Sequence, residues 1–242
     1  MEIDKKIANE IEHGKKISEN AEEVWGWSSP AGKLRAQRRA NFFIDLGKLN
    51  RTTNALEIGC GTALFTEKIY FATYSLITAI DISQELLDQG RKKLPDVDFR
   101  LEDAMALSFA DNTFDVVYGS SILHHLQFDK ALSEIYRVLK PGGRIIFAEP
   151  NMLNPQIFIQ KNVPFIKKWL GDSPDETAVV RWPFAKLMAK TGFNNIELFP
   201  YDFLHPNVPQ SLISFVDKLG KSLERIPMVR EIAGSVIIYG TK

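Results

Sequence analysis

Apolar residues recur along the chain at two different periods, and the points where one period gives way to the other predict its elements. Between residues 55 and 149, five short apolar runs read as strands: Ala55–Ile58, Leu76–Ile80, Val97–Leu101, Phe114–Tyr118 and Arg144–Ala148. Helical patterns separate most of them. Gln84–Lys93 follows Ser83 as its N-cap, and Lys130–Leu139 places Leu132, Ile135, Tyr136 and Leu139 in helical register. The turn Lys140-Pro141-Gly142-Gly143 stops the second helix and feeds the fifth strand. Alternation of this kind builds right-handed βαβ units, and hence a parallel sheet covered by helices on both faces.

On either side of this region the pattern changes. The first 24 residues are charge-rich with a narrow stripe (Ile3, Ile7, Ile11) at helical spacing, which predicts a loosely packed helix. The turn-forming segment Trp27-Ser28-Ser29-Pro30-Ala31-Gly32 precedes a helix over Lys33–Leu49 that turns Ala36, Ala40, Phe43 and Leu46 toward the core. Residues 1–50 are therefore expected to form an N-terminal helical arm or lid on a single domain over 51–242. Beyond 150 the alternation breaks. Asn151–Arg181, rich in Pro, aromatics and Lys, is followed by a helix over Pro183–Thr191 that Gly192 caps, and by a strand over Asn195–Phe199. Amphipathic pieces fill Tyr201–Ala233 before the final strand Ser235–Tyr239, so cap insertions at about 151–181 and 201–233 flank one edge of the sheet.

Composition narrows the class. The chain has 242 residues, 45% of them hydrophobic and 25% charged, which suits one globular domain burying roughly 70–75% of its unfolded surface. Lys+Arg 30 balances Asp+Glu 30, so no overall positive field favours nucleic acid, and any such partner must be recognised locally. One cysteine, Cys60, and four histidines without ligand spacing predict neither a disulfide nor a metal site. No apolar run reaches the roughly 18 residues of a membrane span, and no signal peptide is expected, so the protein reads as cytoplasmic.

The most informative segment is Leu56-Glu57-Ile58-Gly59-Cys60-Gly61-Thr62-Ala63, a strand with an acidic residue that runs into a glycine turn opening a helix. Such a turn lets backbone approach a ligand closely and leaves helix N-terminal amides to receive it. A dinucleotide fingerprint requires glycine at position 64, which is Leu64. A ligand bearing an ammonium group for Glu57 fits better, and S-adenosylmethionine carries one. Asp81 ends the second strand 18 residues beyond Ala63, close to the roughly 20 at which a carboxylate meets ribose hydroxyls in nucleotide-binding sheets. Glu102-Asp103-Ala104 ends the third strand, offering a carboxylate to an adenine amino group, and Gly119-Ser120-Ser121 leaves backbone exposed at the end of the fourth.

On these residues, together with Asp111-Asn112-Thr113-Phe114-Asp115-Val116-Val117 and Arg137-Val138-Leu139-Lys140-Pro141-Gly142-Gly143, the chain resembles the class I S-adenosylmethionine-dependent methyltransferases that act on small molecules. The resemblance is close over 54–149. It implies a Rossmann-like, doubly wound α/β fold with seven strands in the order 3-2-1-4-5-7-6, the last antiparallel. It also implies that Glu57, Gly59 and Gly61, with Cys60 between them, hold the methionyl moiety, that Asp81 and Ile82 meet the ribose, and that Asp103 and Ala104 lie near the adenine, with Ser120 completing the cofactor-binding set. The family carries glycine where this chain has Ala63, and alanine favours right-handed φ, so a normal helix start is expected there.

Weaker signals carry two readings each. His124 or His125, just past the fourth strand, either faces the transferred methyl as a base or packs beneath the cap; His205 is a further candidate. Lys33, Arg35, Arg38 and Arg39 form either a solvated face or a clamp for a carboxylate or phosphate. Phe158, Phe165, Trp169, Trp182, Phe184 and Phe203, with Lys161, Lys167 and Lys168, make either a helical cap or an apolar acceptor pocket approached from a membrane surface. The function implied is methyl transfer from S-adenosylmethionine to a small aromatic, sugar or lipid-linked acceptor. The competing readings are a nucleic-acid methyltransferase, a non-catalytic cofactor-binding module and a nicotinamide-dependent oxidoreductase.

Overall fold

The computed structural model of the chain describes residues 2–169 and 177–242. The part of the first insertion over 170–176 lies outside them, as do the side chains of Ile3, Ile7, Lys168 and Trp169. The described residues form one seven-stranded sheet in the order β3-β2-β1-β4-β5-β7-β6. Its strands are β1 (Asn54–Ile58), β2 (Leu76–Asp81), β3 (Asp98–Leu101), β4 (Phe114–Ser120), β5 (Leu139–Pro150), β6 (Asn194–Tyr201) and β7 (Ser235–Thr241). The first five pair in parallel, and β7 runs antiparallel to both β5 and β6. This is the expected topology.

Strand alternation sorts the core into two layers. Ala55, Ala79, Val116, Tyr118, Ile146 and Ile237 face one side, where α3 (Pro30–Gly47) and α4 (Leu64–Thr73) bring Phe43, Phe65 and Ile69. Leu56, Ile58, Val117, Ile145, Phe147 and Ile238 face the other, against Leu132 and Ile135 of α6 (Phe128–Val138) and Met188 of α9 (Arg181–Thr191). Between them, α5 (Gln84–Lys93) starts at Ser83, whose hydroxyl accepts from the Leu86 amide as the sequence predicts. The fifth strand begins at Leu139 and takes in Lys140-Pro141-Gly142-Gly143, where a turn before the strand is expected, with a register shift against β4 between Phe114 and Val116; at its other end Glu149 and Pro150 stay in register with Val236 and Ser235 of β7.

The N-terminal arm is α1 (Glu2–Ile17) and α2 (Ala21–Val24), which lie along α5. Ile17 and Ala21 pack on Leu86, the Gln89 amide donates to the Ser18 carbonyl at 2.6 Å, and Glu22 accepts from Thr62 and Lys93, each at 2.9 Å. The first insertion holds α7 (Pro155–Asn162) and α8 (Pro164–Trp169), and the second holds α10 (Ile213–Leu223) and α11 (Pro227–Arg230). Among the described residues no helix is long and apolar enough to cross a membrane.

Two expectations are corrected. The arginines of α3 are not a solvated face. Arg35 donates to Asp202 at 2.7 Å, Arg38 grips Glu224 with both nitrogens, and Arg39 is buried, donating to Tyr201, Ser120, Ser121 and Ser235 at 2.8 to 3.0 Å. They pin the arm-side helix to the second insertion and to the sheet. Ala63 takes the left-handed conformation, with φ at 64°, as the N-cap of α4. The turn above it reverses so tightly that Gly59 and Gly61 also sit at positive φ, and the Ala63 amide closes onto the Cys60 carbonyl at 2.9 Å. Holding an L-residue there costs roughly 1–2 kcal/mol, which the fully buried packing around Ala63 must offset.

Candidate active site

The strand order reverses between β1 and β4, and in an open sheet that is where the carboxyl ends part to leave a crevice. Here the crevice opens into a cavity of about 790 Å³, within the range of cofactor pockets. The glycine turn forms part of its wall. A Cβ on Gly59 would lie 2.5 Å from Ile122, and one on Gly61 would lie 3.0 Å from the Trp25 ring, so both positions need glycine for space as well as for φ. Trp25 thus brings the arm directly over the turn, while Trp27 packs edge-on against Phe65 at 5.5 Å.

Asp81, Ile82, Asp103, Ala104, Cys60, Gly59, Gly61, Ser120, His124 and His125 all line this one cavity, so ten of the eleven predicted site residues meet there. Asp81 accepts from the Gly61 and Ser83 amides, each at 2.9 Å, which fixes its carboxylate across the β1 and β2 turns. Burial pushes its pKa up, and those amides pull it part of the way back. Asp103 accepts from the Met105 amide at 2.8 Å. Burial raises the Cys60 thiol well above its usual range, which makes it inert.

The eleventh residue, Glu57, stands behind the wall. Ala55 and Glu57 share a strand face, the one α4 covers, so the carboxylate points beneath α4 and accepts from Thr66 at 2.6 Å and Tyr118 at 3.0 Å. Burial pushes its pKa up to about 7, the two hydroxyls lower it partly, and the Asp81 charge raises it again.

The fourth strand end holds a buried polar cluster beside the cavity. The carboxylate of Glu149, at the end of β5, accepts from the Ile122 and Leu123 amides, each at 2.9 Å, and lies 2.7 Å from His124 Nδ1. Burial pushes this carboxyl up, but His124 and the two amides together hold it below the usual carboxylate range. An ionised acceptor at Nδ1 favours a ring proton there. His125 stacks on His124 with centroids 4.1 Å apart and sets its Nδ1 3.2 Å from Glu10 of α1. His205 sits on the rim, 3.1 Å from Gln156 of α7.

The sequence reading missed Glu149, Thr66, Tyr118 and Glu10. Glu149 had a signal: it follows the apolar run of the fifth strand, at the carboxyl edge where ligands bind. Four carboxylates (Glu10, Asp81, Glu102, Asp103) and one ammonium (Lys161) line the cavity, a balance that favours a cationic ligand.

A family model described as a methyltransferase domain matches residues 56–147. Those residues form a methyltransferase domain. The chain is 32% identical over 155 residues to an uncharacterized methyltransferase-like protein of Schizosaccharomyces pombe, covering 64% of this chain and 59% of that one. It is 29% identical over 184 residues to a demethylmenaquinone methyltransferase of Paenarthrobacter aurescens, covering 68% and 71%. The chain spans 59% and 49% of the length of two S. pombe relatives it matches, or about half. Among solved structures, the N-methyltransferase NodS from Bradyrhizobium japonicum, in complex with S-adenosylhomocysteine, superposes with a TM-score of 0.65 at 14% identity, over 97% of this chain and 98% of that one. That likeness extends the methyltransferase fold beyond the matched segment, to the arm and the caps.

Proposed function

We propose that the protein is an S-adenosylmethionine-dependent methyltransferase acting on a small, largely apolar acceptor in the cytoplasm. The observation that carries the reading is that one cavity gathers the glycine turn, Asp81, Asp103 and His124, whose ring is held by Glu149. Bound there, S-adenosylmethionine supplies an electrophilic methyl group on a sulfonium. Its positive charges suit the four carboxylates of the lining.

In this reading Asp81 accepts the ribose hydroxyls, Asp103 or Glu102 takes the adenine amino group, and the amides of the glycine turn receive the methionyl carboxylate. Glu57 acts from behind the turn as a buried charge. Cys60, Ile82, Ala104 and Ser120 shape the pocket between these contacts. His124 Nε2 accepts the proton of a hydroxyl or ammonium acceptor as the methyl is transferred, with Glu149 holding the ring in the required tautomer. His125 and Glu10 hold the arm closed, which excludes water and fixes the acceptor in line. Relatives named demethylmenaquinone methyltransferase support an aromatic, lipid-linked acceptor.

The test combines two measurements: calorimetric titration with S-adenosylhomocysteine, and incubation with methyl-labelled cofactor and a metabolite and lipid extract, read by mass spectrometry. Saturable binding, a labelled product, and binding roughly 10- to 150-fold weaker in Asp81→Ala are expected, as loss of a hydrogen bond to a charged group entails. Failure of S-adenosylhomocysteine to bind refutes the reading.

A further inference from the structure

We propose that Arg39, acting through the Ser120 and Ser121 hydroxyls, holds an anionic oxygen of the acceptor, which makes the acceptor a phenol or enol that binds in its ionised form. Of the arginines on α3, Arg35 pairs with Asp202 and Arg38 with Glu224. Arg39 has no carboxylate partner among the described residues. It is 2% exposed, and its hydrogen bonds run to four hydroxyls, those of Tyr201, Ser120, Ser121 and Ser235. A guanidinium taken out of water with only neutral partners keeps its full charge, and that burial is costly unless an anion approaches it.

The two serines carry the charge to the cavity, which both of them line. Each uses its oxygen to accept from Arg39, at 2.8 and 2.9 Å, and neither donates to another group among the described residues, so both hydroxyl hydrogens are left for a ligand. A hydroxyl that accepts from a cation becomes the stronger donor. Two such donors side by side suit one negatively charged oxygen. Strand order decides whose oxygen it is. Ser120 and Ser121 stand at the end of β4, Ser235 at the start of β7 and Tyr201 at the end of β6, all on the β4 side of the switch point, whereas the glycine turn, Asp81 and Asp103 follow β1, β2 and β3 on the other. In the methyltransferase reading, on which this inference rests, that other half holds the cofactor and leaves the β4 side to the acceptor. The carboxylates on the β4 side are already engaged, Glu149 by the Ile122 and Leu123 amides and His124, and Asp202 by Arg35.

Calorimetric titration of the full chain, with and without S-adenosylhomocysteine, tests the inference with para-nitrophenolate and with para-nitroanisole, the same ring with its oxygen methylated, at a pH where the phenol is ionised. The parent should bind the phenolate about tenfold or more tightly than the ether, as a hydrogen bond to a charged group entails. Arg39→Gln and Ser121→Ala should each lose most of that preference and keep their affinity for the ether, a split that damage to the fold does not produce. Should Arg39→Gln fail to fold, Ser121→Ala, which keeps the buried charge and removes one donor, decides alone. A phenolate that does not bind, one that the parent does not prefer, or a preference undiminished in either folded variant overturns the proposal. So does an Arg39→Gln variant that loses about tenfold in affinity for S-adenosylhomocysteine but none for methylthioadenosine, which lacks the amino-acid tail, because the serines then hold the cofactor's own carboxylate. A parent that binds S-adenosylhomocysteine without preferring the phenolate loses this inference alone, and one that prefers the phenolate but never binds S-adenosylhomocysteine keeps the anion site and loses the methyltransferase reading.

Discussion

Glu57→Gln is expected to stabilise the cofactor-free protein, and to do so more as pH rises. Glu57 has no cationic partner among its hydrogen bonds, which come from the Thr66 and Tyr118 hydroxyls. Burial raises its folded pKa from 4.5 to about 7. A carboxyl raised on folding binds its proton more tightly in the folded state, so its stability is fully present below the unfolded pKa and is lost as pH climbs through the folded one. With these two values, the loss between pH 5 and pH 8 amounts to about 2.5 kcal/mol. Glutamine keeps an oxygen for both hydroxyls and carries no charge, so the variant should escape the loss. Urea unfolding of both proteins at pH 5, 6, 7 and 8 reads the effect directly: the advantage of Glu57→Gln should grow by about 2.5 kcal/mol across that window. A difference flat to within about 0.5 kcal/mol would show that the folded protein holds this carboxylate ionised at no cost, and would refute the account of its burial. The same argument gives the residue a use, since a cationic ligand beyond the glycine turn recovers part of what the charge costs.

Two further outcomes follow from the cavity. Once an acceptor is known, His124→Ala should lower turnover about 10²- to 10⁴-fold while leaving S-adenosylhomocysteine affinity unchanged, and a rate within about threefold of the parent would reduce the His124–Glu149 pair to packing. Hydrogen exchange in α1, α2 and α7 should slow when S-adenosylhomocysteine is added, because Glu10, Trp25 and Gln156 line the cavity; protection confined to residues 57–105 would remove the arm and cap from the site.

The sequence alone determined most of what lies along the chain. Helix and strand periods, the Ser83 cap and the Gly192 stop are local signals, and right-handed crossovers leave few ways to assemble them, so most of the parallel core was legible from 54 to 149. The cavity-lining residues were legible for the same reason: Asp81, Asp103 and Ser120 mark strand ends, and strand ends in a doubly wound sheet converge on one crevice. Tertiary structure decided whatever depends on a partner distant in sequence. Glu57 was expected to meet a ligand, but the side of the strand it shares with Ala55 lies under α4, and only the packed helix supplies Thr66 and buries the charge. Ala63 keeps a left-handed backbone that its own preference opposes, because the tight turn leaves no other path into α4. Arg35 and Arg38 left solvent for Asp202 and Glu224, 167 and 186 residues away. Glu149 meets His124 across two neighbouring strands, 25 residues apart. Such pairs are set by the approach of whole elements, and no local propensity encodes them.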